Sequence, residues 1–342
     1  MAVSIRDIAD AVGLSPSAVS IALNNKPGIG DEARQIILSA AADMGYSKKI
    51  KNPDYKNTDN SFISLFIYKK HGYVVSDTPF FSVLLESINA SARKSGYTLQ
   101  TEYIYDDSNL ENRLKKLHNS SCIGIILLAT EMEFADLAPF SSSSIPLVIL
   151  DSYFEGADYN YVVINNIQGA YLATQFLIDN GHTDIGYLHS SVHINNFSER
   201  YSGYLKAVGT IPTAEACREN IIRVAPTYEG AYNDMALYIK QGKYIPKALF
   251  ADNDIIAISC MRALEDYGYK LPEDVSIVAF DNFPSSELLR PSLTTIDVSK
   301  SSMGSLAVDH LLNIVRKGFS GNVKISLSTT LVIRNSVCKH TI

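Results

Sequence analysis

The stretch "VGLSPSAVSIALNNKPGI", residues 12–29, decides how the start of this chain folds. Before it, Ile5, Ile8, Ala9 and Val12 recur at helical spacing, and Gly13 then breaks the pattern. Ser15 can cap a second helix, with Pro16 at its first position. Val19, Ala22 and Leu23 continue an apolar face along that helix, and "NNKPG", 24–28, is a turn cluster. A third helix is expected with Ala33, Ile36, Ile37, Ala40, Ala41 and Met44 on one stripe, ended by Gly45. Three short helices with a tight turn between the first two form a helix-turn-helix arrangement, which makes residues 1–46 an all-α unit. Such a unit meets DNA, yet the quoted segment carries one positive charge, Lys26, and no arginine.

The rest of the composition narrows the class. A chain of 342 residues suggests two or three units at about 100–200 residues each. With 46% hydrophobic and 19% charged residues it is neither disordered nor fibrous. No apolar run approaches the roughly 18 residues that span a bilayer, and "MAVSIRDIADAVG" lacks the basic start and apolar block of a secretory signal. No membrane association is expected. The four cysteines, Cys122, Cys217, Cys260 and Cys338, lie far apart and form no CxxC pair, which fits reduced thiols in a cytoplasm and neither a disulfide framework nor a zinc site. His182, His189 and His193 fall within twelve residues, at an expected helix-to-strand turn and strand end, and are read as structural, with no metal expected. No GxSxG, GxGxxG, P-loop or HExxH pattern occurs, so neither an enzyme nor a cofactor is expected.

Residues 47–60, "SKKIKNPDYKNTDN", are polar, lack apolar periodicity and read as a linker. From Phe62 onward strand and helix alternate. Strand candidates are "FISLFIY", "TLQTEYIY", "IGIILLA", "PLVILD", "YVVI", "DIGYLH", "NIIRV", "KALFA", "VSIVAF" and "LTTID", mostly separated by amphipathic segments such as "IQGAYLATQFLIDNG". Repeated β-α units mean mostly parallel sheets covered on both faces. About ten such strands suit two sheets and hence two lobes. Open parallel sheets place ligands at the carboxyl ends of their strands, which here means the cleft between lobes.

Taken in order, these stretches resemble a LacI/GalR-type transcriptional regulator nearly from end to end. The residues from "SIRDIADAVG" to the closing "GY" are similar to that family's headpiece. The stretches "TPFFSVLLESINASARKSGY", "NIQGAYLATQFLIDNGHTDIGYL", "ERYSGYLKAV", "ALFADNDIIAISCMRALEDYGYKLPEDVSIVAFDN" and "PSLTTIDVSKSSMGSLAVDHLL" are similar to its effector domain. The resemblance implies an all-α three-helix helix-turn-helix DNA-binding domain followed by a two-lobed α/β effector domain of the periplasmic-binding-protein-like type I fold, over 61–342. It places the N-lobe at about 62–163 and 293–323, and the C-lobe at about 164–292 and 324–335. It further implies a homodimer, whose two heads meet half-sites about one turn apart on a near-palindromic double-stranded operator.

In the family pattern the first residues of the second helix meet base edges. Those positions are Pro16, Ser17 and Ile21. Many relatives carry arginine at the Ile21 position; isoleucine packs on a thymine methyl and makes no bidentate guanine contact. Ser15, Ser20, Asn24 and Asn25 have the chemistry for phosphate contacts, although caps and turns use the same residue types. Residues 1–60 hold seven basic and seven acidic side chains, a net charge of zero, which predicts weak non-specific binding. Lys48, Lys49 and Lys51 either lie along a DNA backbone or belong to a solvated linker. Relatives often wedge a leucine from a short hinge helix into the minor groove. Here Pro53 disfavours that helix and Tyr55 stands about where the leucine would be, so no regular hinge helix is expected.

For the effector, the resemblance points to Asp151, Arg200, Asn253 and Asp281, all at or just past strand ends or in nearby loops. Carboxylates, an amide and a guanidinium fork suit a polyhydroxylated ligand such as a sugar. Phe80 and Phe81 are the aromatic candidates for stacking on it, with Tyr153 and Phe197 behind them. The expected function is a ligand-controlled DNA-binding regulator, a repressor, of the cytoplasm. A regulator answering to a purine or a sugar phosphate, and a transport-type sugar-binding protein, are the alternatives.

Overall fold

The computed structural model describes residues 5–23, 28–44, 61–75, 79–105, 109–317 and 321–340. The chain separates into two compact units, Met1–Asn60 with Leu312–Ser320, and Ser61–Leu311 with Gly321–Ile342. Asn24, Asn25 and the expected linker with its lysines, Pro53 and Tyr55 lie outside the described residues.

The headpiece holds α1 (Ile5–Val12), α2 (Pro16–Leu23) and α3 (Asp31–Asp43). Gly13 turns the chain between the first two at φ 66°, a conformation that favours glycine. The Ser15 hydroxyl accepts the backbone N–H of Ala18 at 3.1 Å, the cap expected of it. Ile8, Ala9, Val19, Ala22, Leu23, Ile37 and Ala41 are buried together. Ile36, expected on the buried stripe of α3, is instead 52% exposed, because Ile37 takes the inward position beside it.

The second unit runs through β1 (Phe62–Lys69), α4 (Pro79–Lys94), β2 (Thr98–Tyr105), α5 (Leu110–His118), β3 (Cys122–Leu128), a 3-10 turn (Phe134–Phe140), β4 (Leu147–Leu150) and β5 (Asn160–Ile164). It continues with α6 (Asn166–Asp179), β6 (Ile185–Ser190), α7 (Asn195–Val208), α8 (Ala214–Glu219), β7 (Ile221–Val224), α9 (Tyr228–Lys240), β8 (Ala248–Ala251), α10 (Asp254–Asp266), β9 (Ser276–Asp281) and α11 (Pro284–Leu288). Last come β10 (Thr294–Asp297), α12 (Lys300–Lys317), β11 (Lys324–Leu327) and β12 (Thr330–Val332). All ten apolar runs singled out in the sequence are strands. The central strands are short and almost wholly buried, as expected of parallel sheets covered on both faces, whereas the edge strand β2 is largely exposed.

Two six-stranded sheets result, ordered β11-β5-β4-β3-β1-β2 and β12-β10-β9-β8-β6-β7. Every pairing is parallel except that of β10 with β12. The order corrects the expected lobe boundaries. Residues 293–323 were assigned wholly to the first lobe, but β10 pairs with β9 (Thr294 opposite Val278) and belongs to the second. Residues 324–335 were assigned to the second, but β11 pairs with β5 (Lys324 opposite Tyr161) and completes the first. A short strand-forming run leaves its partner open, so only the pairing settles the lobe. The chain therefore passes between lobes three times: after β5, after β10, and between β11 and β12.

α6 and α7 pack closely because Gly203 lets their backbones meet. A Cβ there would press on the carbonyl oxygen of Ile167 and lie 2.8 Å from the Ala170 Cβ.

Candidate functional site

Strand ends from both sheets converge on one cleft of about 370 Å³, counted to its open mouth. From the first lobe it is lined by Val74, Phe80, Phe81, Thr130 and Asp151. From the second it is lined by Ile194, Asn196, Phe197, Arg200, Asn253, Ile255, Asp281 and Phe283. All six residues singled out from the sequence, Phe80, Phe81, Asp151, Arg200, Asn253 and Asp281, come together here. Phe197, a secondary candidate, joins them. Tyr153 does not: its ring packs edge-on to Tyr161 at 5.0 Å and lies under the Lys324 ammonium at 3.3 Å.

Asp151 leaves β4 at φ 68°, and Asp281 ends β9 at φ 108°, followed by Asn282 at 49°. Such angles strain any residue with a Cβ, and they turn both carboxyls out of the sheets into the cleft. The Thr130 hydroxyl donates to Oδ2 of Asp151 at 2.6 Å. Oδ1 is buried and accepts no hydrogen bond within 3.5 Å among the described residues, although the Asn196 side chain lies near enough to the carboxyl to favour its charged form. Burial pushes the Asp151 carboxyl up to about 7, against the opposing pull of Thr130 and the Arg200 charge.

Arg200 is spent in three directions from α7. Its Nε donates to Asn166 Oδ1 at 3.0 Å, Nη1 to the Asp252 carbonyl at 2.6 Å and Nη2 to Asp281 Oδ1 at 3.2 Å. The guanidinium also lies 3.8 Å from the centre of the Phe280 ring. Burial raises the Asp281 carboxyl above the usual carboxylate range even though Arg200 and Lys300 pull it down. The Lys300 ammonium, at the start of α12, donates to the Asp281 carbonyl at 2.5 Å and sits 5.8 Å from the Phe80 ring. Asn253 lines the cleft with part of its side chain engaged, since its Oδ1 caps α10 by accepting from Ile256 N–H at 3.0 Å. Beneath it Asp254 accepts from Phe283 N–H, Ser286 and Thr295, tying together three segments of the second lobe. Asn195 crosses the cleft, donating to Ser152 Oγ and the Tyr153 carbonyl, both at 3.1 Å.

Several lining residues were not anticipated. Thr130 follows β3, where the strand-end rule points as directly as it does to Asp151. Phe283 lies two residues past Asp281 in "FDNFP". Val74 carries no such signal, since it sits on an irregular loop.

On the headpiece, Ser15, Pro16 and Ser17 are exposed at the start of α2, while Ser20 and Ile21 are half-buried. The exposed end of this helix is small, hydroxyl-bearing and uncharged.

Two family models match the chain: "Bacterial regulatory proteins, lacI family" over residues 4–49, and "Periplasmic binding protein-like domain" over residues 174–337. The HTH-type transcriptional repressor PurR of Mannheimia succiniciproducens is 29% identical over 344 residues, covering 98% of this chain and 99% of the relative. Its namesake from Pasteurella multocida is 27% identical, with 98% of each chain covered. Among solved structures, the complex of the transcriptional regulator CelR with cellobiose superposes with a TM-score of 0.70 at 20% identity, over 98% of this chain and 99% of that one. A LacI family regulator from Enterococcus faecium with bound ribose gives 0.69 at 21%, over 81% and 100%. The lac repressor dimer bound to operator and the anti-inducer ONPF gives 0.68 at 18%, over 99% and 100%. The chain joins a headpiece of the lacI family of bacterial regulatory proteins to a periplasmic-binding-protein-like domain. It is a DNA-binding transcriptional regulator and not an enzyme.

Proposed function

We propose that this regulator is a repressor whose hold on DNA is set by a small neutral molecule bound between the lobes. The observation that carries the reading is Asp151 Oδ1, a buried oxygen that accepts no hydrogen bond from the described residues, on a side chain that lines a cleft whose other wall holds Arg200 and Asp281. A buried polar atom of this kind calls for a donor, and a ligand hydroxyl supplies one. Two carboxyls face one guanidinium, and the nearby Lys300 ammonium is held by the Asp281 and Val298 carbonyls, which disfavours a phosphorylated ligand. A sugar ring fits best: its hydroxyls donate to Asp151 and Asp281 and accept from the Asn253 amide, while Phe80, Phe81 and Phe197 take its apolar faces. The cellobiose and ribose seen in relatives of this fold support that chemistry. A flat heteroaromatic base such as a purine is the second reading, favoured by the four phenylalanines that line the cleft.

A ligand gripped by Asp151 on one side and Arg200 with Asp281 on the other stabilises closure of the lobes. Two copies paired as a homodimer convert that closure into a change in the spacing of two heads on a near-palindromic operator. At each head, Pro16, Ser17 and Ile21 meet base edges, and Ser15, Ser20, Asn24 and Asn25 meet phosphates. With no net charge on residues 1–60, affinity depends on pairing and on DNA shape more than on counterion release. The cytoplasm is where such a protein meets DNA.

The test is a gel shift on a pool of near-palindromic duplexes, with a thermal-shift screen of monosaccharides, disaccharides, purine bases and sugar phosphates. A dimer that retards DNA and changes its retardation with one of these compounds is expected, and Arg200→Ala is expected to lose the ligand response while retaining DNA binding. A monomer that binds sugar and retards no duplex in low salt would overturn the reading.

A further inference from the structure

Glu131 follows Thr130 just past the end of β3 and is 2% exposed. Its carboxylate gathers five backbone N–H groups of the loop that leaves β1. Oε2 accepts from Lys70 at 3.0 Å, His71 at 3.1 Å and Gly72 at 2.8 Å. Oε1 accepts from Val74 at 2.9 Å and Val75 at 2.8 Å. Gly72, at φ 72°, gives the turn that wraps the loop around the carboxylate. Converging backbone N–H groups form a concavity that ordinarily receives an anion from outside. Here the chain fills it with its own side chain. Burial alone would raise the Glu131 carboxyl, but the N–H groups of Val75, Gly72 and Val74 outweigh it and hold the group below the usual carboxylate range. The start of the loop is tied down as well, with the Lys70 ammonium 3.2 Å from Glu133 and 3.3 Å from Asp136.

The loop ends at the cleft, where Val74 is part of the first lobe's wall. Thr130, the residue before Glu131, is part of the same wall and donates to Asp151. Two consecutive side chains past β3 therefore hold two separate pieces of the cleft. We propose that Glu131 is a positioning residue that sets which ligands fit: it fixes the irregular β1 loop so that Val74 closes the wall beside Asp151. This rests on the reading of the cleft as the effector site. A glutamine at 131 keeps the shape but offers one acceptor oxygen, and its NH2 confronts the remaining N–H groups. It can serve one side of the loop only.

Amide hydrogen exchange on the full chain without ligand tests the clamp directly. Amides 70, 71, 72, 74 and 75 are expected to exchange slowly in the wild type. In Glu131→Ala they exchange about ten- to hundredfold faster, and in Glu131→Gln one of the two groups stays slow. The chain has 20 tyrosines and no tryptophan, so Tyr73→Trp places a single tryptophan on the loop, which red-edge excitation selects over the tyrosines. Its emission should shift to the red when combined with Glu131→Gln. In a second arm ribose, cellobiose and adenine serve as probes. Any that stabilises the wild type is expected to bind at least tenfold more weakly to Glu131→Gln and also to Val74→Ala, while Val74→Ala leaves the loop amides slow. Unchanged exchange in both Glu131 variants, or a probe held equally by all three proteins, overturns the proposal. If no probe moves the wild type, the reading of these compounds as effectors falls, and the exchange comparison alone decides the clamp.

Discussion

Asp151 and Asp254 are buried carboxyls held up at about 7 by loss of solvent. An unfolded aspartate titrates near about 4, so the folded state binds protons more tightly across the interval. The stability these groups contribute is full below about pH 4 and is lost as pH rises through about 7. Asp151→Asn removes one of the two, and the fall in thermal stability of the ligand-free protein between about pH 5 and 7 should become shallower by comparison with wild type. An equal slope in both proteins would show that Asp151 is already ionised in the empty cleft. Glu131 behaves oppositely. Its depressed carboxyl contributes stability above its unfolded value, lost as pH falls through the lower folded one. At this scale the sequence was readable where residue type and strand end coincide: Asp151, Asn253 and Asp281 each stand at the end of an apolar run, and all three line the cleft. Glu131 was not readable. Nothing in "LLATEMEF" says that a carboxylate will meet five amides from a segment about sixty residues earlier.

Among the elements, the pair α6 and α7 shows how packing reaches the site. Gly203 lies one helical turn beyond Arg200 on α7, against α6, whose first residue Asn166 accepts from Arg200 Nε. Gly203→Ala would push the helices apart, at a cost of about 1–3 kcal/mol. It should lower the midpoint of denaturant unfolding and weaken ligand binding together, since Arg200 moves with its helix. Full stability in the variant would show that the backbones separate without strain. The central strands were legible as strands because four or more buried apolar residues leave few alternatives. Membership was not. β10 and β11 are each four residues long, and what assigns them to different sheets is the edge that each finds on β9 and β5.

Across the whole molecule, three passages between lobes mean that neither lobe is a contiguous piece of sequence. The order of synthesis then acquires a meaning. Strands β1 to β5 are all made before any residue of the second lobe, yet the outer edge of β5 stays bare until Lys324–Leu327 has been made. An unpaired edge is a template for another chain. A chain stopped at residue 323 should therefore accumulate in the insoluble fraction, whereas one stopped at residue 340 should stay soluble; a soluble 323-residue product would show that β5 tolerates an open edge. The last strands thus act as a release step. The nascent protein carries an adhesive edge from the completion of β5 until Lys324–Leu327 has been made, and that strand retires it.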